Sequence, residues 1–388
     1  MAWGTKKPDR VNNRLISRGF FVPTIALAMM SLGGCMTAIL TKTIVEAPNI
    51  RTTPEVLKPR NHDLLVRDDE TYALAWSVPV GPPQAVLSAA VIAPGDYGYS
   101  RTIRQKPLAN GRVSLEPISA WTIPANRPDP HAPAKATILI LHGYQDTKED
   151  QLHWAFFLAK LGYRSILVDL RGHGRSTGDW IGYGAFEVHD LQQVLDDAQR
   201  RGLVTGPLGV LGLSYGASIA LELAGKDPRI ASVVALEPFS DARKGVVEFA
   251  RGVIPGRIKS WTEQDFSNAL DRAAVMASFS WSNTDILSAV ERTNAPILYV
   301  RGKNDRWIPP AESDILDAHT RSPHLTITAT LPWDNDHVIL SWLLDPIAGP
   351  VGEWFDETLL RPGPGMMDRV RDRINVLLAS PTQPLVRP

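Results

Sequence analysis

The chain has 388 residues, with 41 basic and 41 acidic side chains, one cysteine and 44% hydrophobic residues. This length suffices for one large domain or two ordinary ones with a hydrophobic core. The balanced charge argues against a dedicated nucleic-acid binder, which carries a basic excess to meet phosphate. The single cysteine excludes a disulfide framework and every zinc site that needs several thiolates.

The first 34 residues have the pattern of an export signal. Basic residues are frequent from Lys6 to Arg18, and no charged residue occurs from Gly19 to Thr41, which is the order of a basic n-region and an apolar h-region. Within the uncharged run, Leu32-Gly33-Gly34-Cys35 resembles the bacterial lipobox, whose cysteine is acylated and becomes the new N-terminus.

Two other interpretations of this segment stay open. The uncharged run is just long enough for an uncleaved transmembrane anchor, and Cys35 would be an ordinary residue in a simple cleaved signal peptide. All three interpretations place the body of the protein outside the cytoplasm. The favoured expectation is a membrane-anchored lipoprotein of the cell envelope, on the periplasmic or outer-membrane side, with its lipid on Cys35.

Residues 35–111 are expected to form an N-terminal extension that is partly β. This part is polar and proline-rich, with short apolar or alternating pieces between turn residues, which indicate strands. The pieces are Leu64–Val66, Tyr72–Trp76 and Val86–Ile92, and two more follow at Arg112–Leu115 and Ile118–Ile123.

From Ala136 onward, apolar strands alternate with amphipathic helices, the pattern of a mostly parallel sheet that is covered on both faces. The predicted strands are Ile138–Leu141, Ser165–Leu170, Leu208–Leu211, Ala231–Leu236, Ile297–Val300 and Leu325–Leu331. The predicted helices between them are Lys148–Leu161, Ala185–Arg201 and Tyr215–Ala224. The alternation lapses over residues 241–294, where helices with apolar faces predict a cap over a site, an ordinary crossover with extra helices being the alternative.

The pentapeptide Gly212-Leu213-Ser214-Tyr215-Gly216 follows an apolar strand and opens a helix. This is the context of a nucleophile elbow, in which a serine sits on a tight strand-to-helix turn. Glycines on either side let neighbouring backbone pass close by, so that the serine hydroxyl is exposed above the strand ends. The pattern therefore predicts a nucleophilic serine.

With this elbow, four further segments resemble the alpha/beta-hydrolase superfamily. They are Leu141–Tyr144, Asp169–Ser176, Gly302–Asp305 and Asp336–His337. The chain looks most similar to bacterial serine esterases and peptidases related to prolyl oligopeptidase and dienelactone hydrolase. The resemblance implies an α/β fold with a catalytic domain over residues 112–360, followed by a C-terminal helix and tail at 361–388.

The resemblance also implies the site. In that superfamily the catalytic serine, acid and histidine occur in this order along the chain, and Ser214, Asp305 and His337 follow the same order. His337 would take the serine proton and return it to the leaving group, and Asp305 would hold the other imidazole nitrogen. The backbone N–H groups of Tyr215 and Tyr144 would form the oxyanion hole, with Gln145 as the alternative to Tyr144.

Each of these residues has a competitor. Asp334 and Asp336 are the rivals of Asp305, and His324, which precedes the last strand, is the rival of His337. The resemblance makes Asp169–Ser176 a structural turn that braces neighbouring loops. Three tryptophans flank the implied site and are candidates for lining an apolar pocket, the alternative being ordinary packing under loops: Trp180, Trp307 and Trp333.

No cofactor and no metal are expected, because the chain has no H-E-x-x-H, no helix-opening G-x-G-x-x-G and no phosphate loop. The expected function is a serine hydrolase that cleaves acyl esters, like a carboxylesterase or lipase, through an acyl-enzyme. A peptidase or aminopeptidase of the same fold is the first alternative, and a non-catalytic envelope lipoprotein is the second. The expected partners are a small acyl ester or peptide substrate and, through Cys35, the membrane.

Overall fold

A computed structural model describes residues 33–51, 71–107, 113–122, 124, 128–253, 258, 260–329 and 347–379. Several sequence predictions fall outside these residues. They concern most of the signal segment, the strand Leu64–Val66 and four residues near the C-terminal end of the catalytic domain, namely Trp333, Asp334, Asp336 and His337.

The centre of the fold is an eight-stranded sheet with the order β1-β2-β6-β5-β7-β8-β9-β10. Its strands are β1 (Leu74–Val80), β2 (Ala85–Ile92), β5 (Thr137–Leu141), β6 (Arg164–Val168), β7 (Leu208–Leu213), β8 (Ile230–Leu236), β9 (Ile297–Gly302) and β10 (His324–Ala329). The pairs β1–β2 and β2–β6 are antiparallel, and from β6 to β10 all pairs are parallel. The predicted mostly parallel sheet is confirmed.

The helices cover both faces of this sheet. They are α1 (Gly33–Val45), α2 (Pro48–Arg51), α3 (Leu152–Lys160), α4 (Glu187–Arg200), α5 (Tyr215–Lys226), α6 (Ala242–Val253), α7 (Glu263–Ala277), α8 (Ile286–Arg292), α9 (Ala311–His319), α10 (Ala348–Phe355) and α11 (Met366–Ala379). Side chains of a strand point alternately to the two faces. In β5, accordingly, Leu139 and Leu141 join the hydrophobic cluster on the side of α4 and α5, whereas Ile138 and Ile140 join the cluster on the side of α3, α10 and α11.

Two strands of the N-terminal extension belong to this central sheet. β1 and β2 form one of its edges, and β2 pairs with β6 through Ala89–Ile92. The extension therefore shares the hydrophobic core of the domain that follows it. A separate hairpin consists of β3 (Gly98–Pro107) and β4 (Val113–Thr122). No pattern in the sequence predicted β3, and the two pieces predicted from 112 to 123 are one strand, β4.

The region between β8 and β9 contains the predicted helices. α6 and α7 follow the end of β8, and α7 begins with a capping box in which Thr262 and Asp265 exchange hydrogen bonds. α8 packs instead on α5 and so belongs to the layer of helices against the sheet. Within the described residues, no helix has the length and hydropathy needed to cross a membrane.

Candidate active site

Ser214 occupies a strained turn between β7 and α5. Its backbone has φ 50° and ψ −112°, a combination that costs a non-glycine residue energy and is held only when the surroundings over-determine it. Here the Ser214 amide donates to the carbonyl of Leu236 at the end of β8 (2.7 Å), and the Ser214 carbonyl accepts from Ala217 (3.0 Å) and Ser218 (3.1 Å). These bonds fix the turn that the pentapeptide predicted.

The two glycines of the elbow are required by close backbone contacts. A Cβ on Gly212 would lie 2.3 Å from the carbonyl oxygen of Gly216, and a Cβ on Gly216 would lie 2.5 Å from that of His142. Backbone atoms cannot move aside as a flexible side chain can. The second contact also brings α5 directly against the loop that follows β5.

His142 holds the loop after β5 in place through its ring. Nε2 accepts from the amide of Leu170 (2.9 Å), so the proton must lie on Nδ1, which donates to the carbonyl of Gly143 (2.8 Å). Burial lowers the pKa of His142 to about 4, and the ring is therefore neutral near pH 7. In this fold His142 positions backbone and carries no charge.

The loop itself is bent tightly. Gln145 has φ 63°, a left-handed conformation that is uncommon for a residue with a side chain, and the amide of Asp146 bonds back to the carbonyl of Gly143 (3.2 Å). Tyr144 stands at the top of this turn and is half-buried. Its ring meets that of Tyr215 edge to face, with centroids 6.3 Å apart.

The Tyr215 side chain is an anchor beneath the elbow. Its hydroxyl donates to Oε1 of Glu187 (2.9 Å), and that carboxylate also accepts from the amides of Gly182 and Gly184 (2.8 Å each). Burial, with the negative charge of Glu187, raises the pKa of Tyr215 well above its ordinary value, so the hydroxyl stays a donor. As the first residue of α5, Tyr215 also contributes a backbone N–H that a helix cannot satisfy internally.

Asp305 lies three residues after β9 and is 7% exposed. Its Oδ1 accepts from the amides of Trp307 (2.8 Å) and Ile308 (2.9 Å), which fixes the carboxylate on a turn. β7 and β9 both neighbour β8, and the carboxyl ends of parallel strands share one edge of the sheet. Asp305, Ser214 and the loop after β5 therefore lie along the same edge.

The segment Asp169–Ser176 is a buried scaffold for this edge. Asp169 accepts from the amide and the ammonium of Lys148 (2.8 Å each), and Lys148 also pairs with Glu149 (2.8 Å). Burial opposes the lysine charge, but the two carboxylates outweigh it and hold the pKa of Lys148 above its ordinary value. These contacts agree with the interpretation of the segment as a structural turn.

His173 of the same segment lies between the residues of the implied oxyanion hole. Its Nδ1 donates to the carbonyl of Arg171 (2.8 Å), and its ring lies 6.1 Å from that of Tyr144 and 5.9 Å from that of Tyr215. Burial and the neighbouring His142 ring lower the pKa of His173 to about 3. A neutral, packed imidazole therefore supports both tyrosines.

Three aromatic rings link α6 to the loops that follow the carboxyl ends of β5 and β9. Phe249 of α6 meets Tyr144 and Trp307 edge to face, with centroids 5.7 Å apart in each pair. Trp307 also packs tightly against α6, since a Cβ on Gly252 would lie 2.6 Å from its Cδ1. The sequence had indicated Trp307 as a pocket candidate but not Phe249, although the apolar face of residues 242–253 was a signal for it.

Two other candidates lie elsewhere. Trp180 forms an antiparallel bridge with Glu46 and is half-buried against the hydrophobic cluster; its predicted part in a pocket stays a prediction. His324 begins β10 and pairs with Ile297, the first residue of β9. It thus lies at the amino ends of the parallel strands, whereas Ser214 and Asp305 follow their carboxyl ends.

Among the described residues, no cluster of His, Cys, Asp or Glu could hold a metal ion.

A parallel sheet that carries a strained serine on a strand-to-helix elbow, with a buried acid two strands away, defines the alpha/beta-hydrolase class. The sequence profile of the Alpha/beta hydrolase family matches residues 138–349, more than half of the chain. The protein belongs to this family.

Individual relatives are distant. The chain is 25% identical over 189 residues to the uncharacterized protein YqkD of Bacillus subtilis (48% of this chain, 61% of that protein). It is 26% identical over 219 residues to the 2,6-dihydropseudooxynicotine hydrolase of Paenarthrobacter nicotinovorans (54% and 53%). The chain thus spans between half and two thirds of these two relatives. An esterase of Pyrococcus furiosus shares the fold, with a TM-score of 0.51, 17% identity and coverage of 76% of this chain and 95% of that one.

Proposed function

We propose that this protein is a serine hydrolase that cleaves acyl esters through Ser214, His337 and Asp305 and a covalent acyl-enzyme. The observation that carries the proposal is the conformation of Ser214, at φ 50° and ψ −112° on the turn into α5. The strain is maintained by backbone hydrogen bonds and by glycines that admit no side chain. Strained residues of this kind cluster at catalytic sites.

The reaction begins with attack by the Ser214 hydroxyl oxygen on the substrate carbonyl carbon. The hydroxyl is a weak nucleophile near neutral pH and needs a base within hydrogen-bond distance. We assign this base to His337. The position of His324 at the far edge of the sheet supports the assignment, because it removes the main rival.

The negative charge that develops on the carbonyl oxygen needs donors that are already in place. The amide of Tyr215 is one, because it opens α5 and points from a helix N-terminus, where the dipole favours negative charge. The amide of Tyr144 is the second, on the loop that His142 braces through Leu170 and Gly143. Both groups belong to the backbone and cost little to reorganise.

Asp305 orients the imidazole of His337 and stabilises its cation. The two amides that bind Oδ1 hold the carboxylate in one orientation, as an orienting acid requires. After the leaving alcohol takes the proton from His337, a water molecule attacks the acyl-enzyme by the same route. The acid product then leaves and the serine is regenerated.

The aromatic roof of Tyr144, Phe249 and Trp307 supports an apolar acyl group as the part of the substrate that is recognised. Apolar walls with a few oriented polar groups are typical of small-molecule sites. This favours esters of apolar acids over charged substrates. A peptidase of the same fold uses the same nucleophile and oxyanion hole, so substrate tests must separate the two.

A fluorophosphonate probe tests the nucleophile directly. Stoichiometric labelling of Ser214 in the folded protein is the expected result, and no labelling would support a non-catalytic lipoprotein instead. Hydrolysis of p-nitrophenyl esters of graded acyl length, run beside aminoacyl-nitroanilides, then separates esterase from peptidase. Faster turnover of the anilides at equal concentration would overturn the ester assignment.

We also propose that the mature protein begins at Cys35 and carries lipid there, which anchors it in the cell envelope. The lipobox-like sequence Leu32–Cys35 after a basic and then an uncharged segment supports this placement. Mass spectrometry of the N-terminal peptide from membranes tests it. An acylated Cys35 is expected, and a peptide that starts at Met1 would favour the uncleaved anchor.

A further inference from the structure

The N-terminal segment, residues 33–51, bonds to the backbone of the catalytic domain. The carbonyl of Val45 accepts from the amide of Ile181 (2.9 Å), and the amide of Ala47 donates to the carbonyl of Asp179 (2.9 Å). The family profile begins only at residue 138. A part of the chain that lies outside the matched region is therefore fixed to the domain that carries the candidate site.

Asn49 is the residue of this segment with the most bonds to the domain. Its backbone amide donates to the carbonyl of Gly172 (3.0 Å), and its side-chain Nδ2 donates to the carbonyls of Gly174 and Ser176 (2.9 Å each). The orientation of the side-chain amide is fixed, because an oxygen in place of Nδ2 would face two acceptors. Asn49 thus gives three donors to one turn, residues 172–176, here called the His173 turn.

The His173 turn carries an imidazole that packs between the loops of the proposed oxyanion hole. The centroid of this ring lies 5.0 Å from that of His142, 6.1 Å from that of Tyr144 and 5.9 Å from that of Tyr215. His173 is 1% exposed, and closely packed interiors transmit strain. A displacement of the His173 turn would therefore move the ring against both tyrosines.

The N-terminal segment and the His173 turn also touch without a gap between them. A Cβ on Gly172, which has φ 67°, would lie 2.4 Å from the Cβ of Ala47. No side chain fits at position 172 unless the segment and the turn separate. The position of the turn is thus set by the segment through this contact as well as through Asn49.

We propose that Asn49 is a positioning residue for the oxyanion hole: through the His173 turn it holds the amides of Tyr144 and Tyr215 at the spacing that the developing oxyanion needs. This inference rests on the proposed serine hydrolase. Oxyanion donors act because they are in place before the charge develops, and a misplacement near 1 Å caused by a distant mutation can cost about 100-fold in rate. The N-terminal segment is then needed for turnover and not only for stability.

Two substitutions at position 49 test this role. Asn49→Asp keeps the shape of the side chain but places an oxygen opposite two carbonyls, and Asn49→Ala removes the donors altogether. In both variants we expect kcat for p-nitrophenyl butyrate to fall about tenfold or more, with KM within about threefold of the parent. The reason is that the oxyanion hole binds the transition state more strongly than the ground state.

A tetrahedral mimic gives the readout that a purely structural role would not change. An alkyl trifluoromethyl ketone forms a bond from its carbonyl carbon to the Ser214 oxygen and leaves an oxyanion in the proposed hole. Its inhibition constant should rise by the same factor by which kcat/KM falls. All constants are measured at room temperature on variants whose circular dichroism matches that of the parent.

Leu40→Ala is the matched control. Leu40 is buried in α1 and belongs to the hydrophobic cluster that joins the N-terminal segment to the domain, but it makes none of the bonds to the His173 turn. This variant should lower the melting temperature, with kcat and the inhibition constant within about threefold of the parent. If both Asn49 variants behave like Leu40→Ala, the role of Asn49 is structural and the proposal is overturned.

A second pair of variants decides the question if the Asn49 variants do not fold. Gly172→Ala should push the His173 turn away from Ala47 and lower kcat about tenfold, with the same rise in the inhibition constant. Adding Ala47→Gly removes the closest contact and should return kcat to within about threefold of the parent, although the strain of alanine at positive φ remains. A folded double variant that stays as slow as Gly172→Ala would overturn the proposal.

Fluorophosphonate labelling of the parent protein separates this inference from the proposed function. A parent that is labelled at Ser214 and hydrolyses the ester, with Asn49 variants that keep its kcat, overturns the positioning role alone. A parent that is neither labelled nor active overturns both.

Discussion

The backbone of Gly216 passes so close to the carbonyl oxygen of His142 that a methyl group on its Cα would lie 2.5 Å from that oxygen. Gly216→Ala must therefore push the helix behind Ser214 away from the loop of Tyr144. We expect a loss of about 2 kcal/mol or more in the free energy of unfolding. We also expect a fall of about 100-fold in kcat, because a shift near 1 Å between the proposed nucleophile and the proposed oxyanion donors suffices for that.

Gly349→Ala is the control for this substitution. The three atoms nearest to a Cβ at Gly349 belong to the Leu377 side chain, at 3.3 Å or more, and this side chain can rotate aside. Urea denaturation should place this variant within about 1 kcal/mol of the parent, as expected when alanine replaces a helical glycine. Equal behaviour of the two variants would show that the elbow contact does not restrict the fold.

Ser214→Ala should abolish fluorophosphonate labelling and lower kcat by at least about 10⁴-fold, with the melting temperature preserved. The matched variant is Ser218→Ala, one turn further along α5. Ser218 is buried and bonds both the amide and the carbonyl of Phe239 (3.0 Å each), so its removal should cost about 1–3 kcal/mol of stability. Labelling of Ser218→Ala at Ser214 should persist. Loss of labelling in folded Ser218→Ala would count against Ser214 as the nucleophile.

Substitution by alanine distinguishes the two candidate bases, His337 and His324. His337→Ala should reduce kcat by several orders of magnitude, about as triad removals do generally, whereas His324→Ala should leave kcat within about threefold because His324 lies at the opposite sheet edge. Ester hydrolysis with circular dichroism as the folding control decides between them. The reverse order of effects would mean that the chain uses another base.

Phe249→Ala should remove one wall of the aromatic roof and change acyl preference. We expect kcat/KM for hexanoyl esters to fall about tenfold, with a much smaller change for acetyl esters, since burial of extra methylenes is what the wall provides. Phe279→Ala is the matched control, because Phe279 packs on Phe186 and Trp281. It should lower stability without altering the chain-length profile. If Phe249→Ala leaves the dependence of kcat/KM on acyl length unchanged, as Phe279→Ala should, the aromatic roof is not the acyl pocket.

Burial lowers the pKa of His153, on α3, to about 4 from an ordinary 6.5. Between pH 6.5 and pH 4 the unfolded chain binds a proton at this histidine that the folded chain does not bind. The histidine therefore lowers the free energy of unfolding as pH falls, and this loss levels off below pH 4. The free energy of unfolding of His153→Leu minus that of the parent should therefore be larger at pH 4.5 than at pH 8, by up to about 3 kcal/mol. A stability difference that does not vary from pH 8 to pH 4.5 would contradict this.

Local patterns were sufficient for much of the fold. The strand–helix alternation after Ala136 predicted β5 to β10, and the inner strands β5 to β8 are mostly apolar because they are buried on both faces. The pentapeptide around Ser214 predicted the elbow, since its glycines reflect contacts within a few residues and with the adjoining strand. β3, Gly98–Pro107, escaped prediction because it contains three basic residues and little apolar alternation, and its pairing with β4 overrides that composition.

The sequence by itself determined the fold class, the turn that carries Ser214 and the position of Asp305 after a buried strand, because each depends on short-range periodicity and chain order. Only the tertiary structure decided the proton position on His142, the approach of Phe249 to Tyr144 and the attachment of the N-terminal segment to the site. Asn49 and Gly174, for example, are 125 residues apart in the chain. Such contacts follow from how the helices and the sheet pack, which no local pattern records.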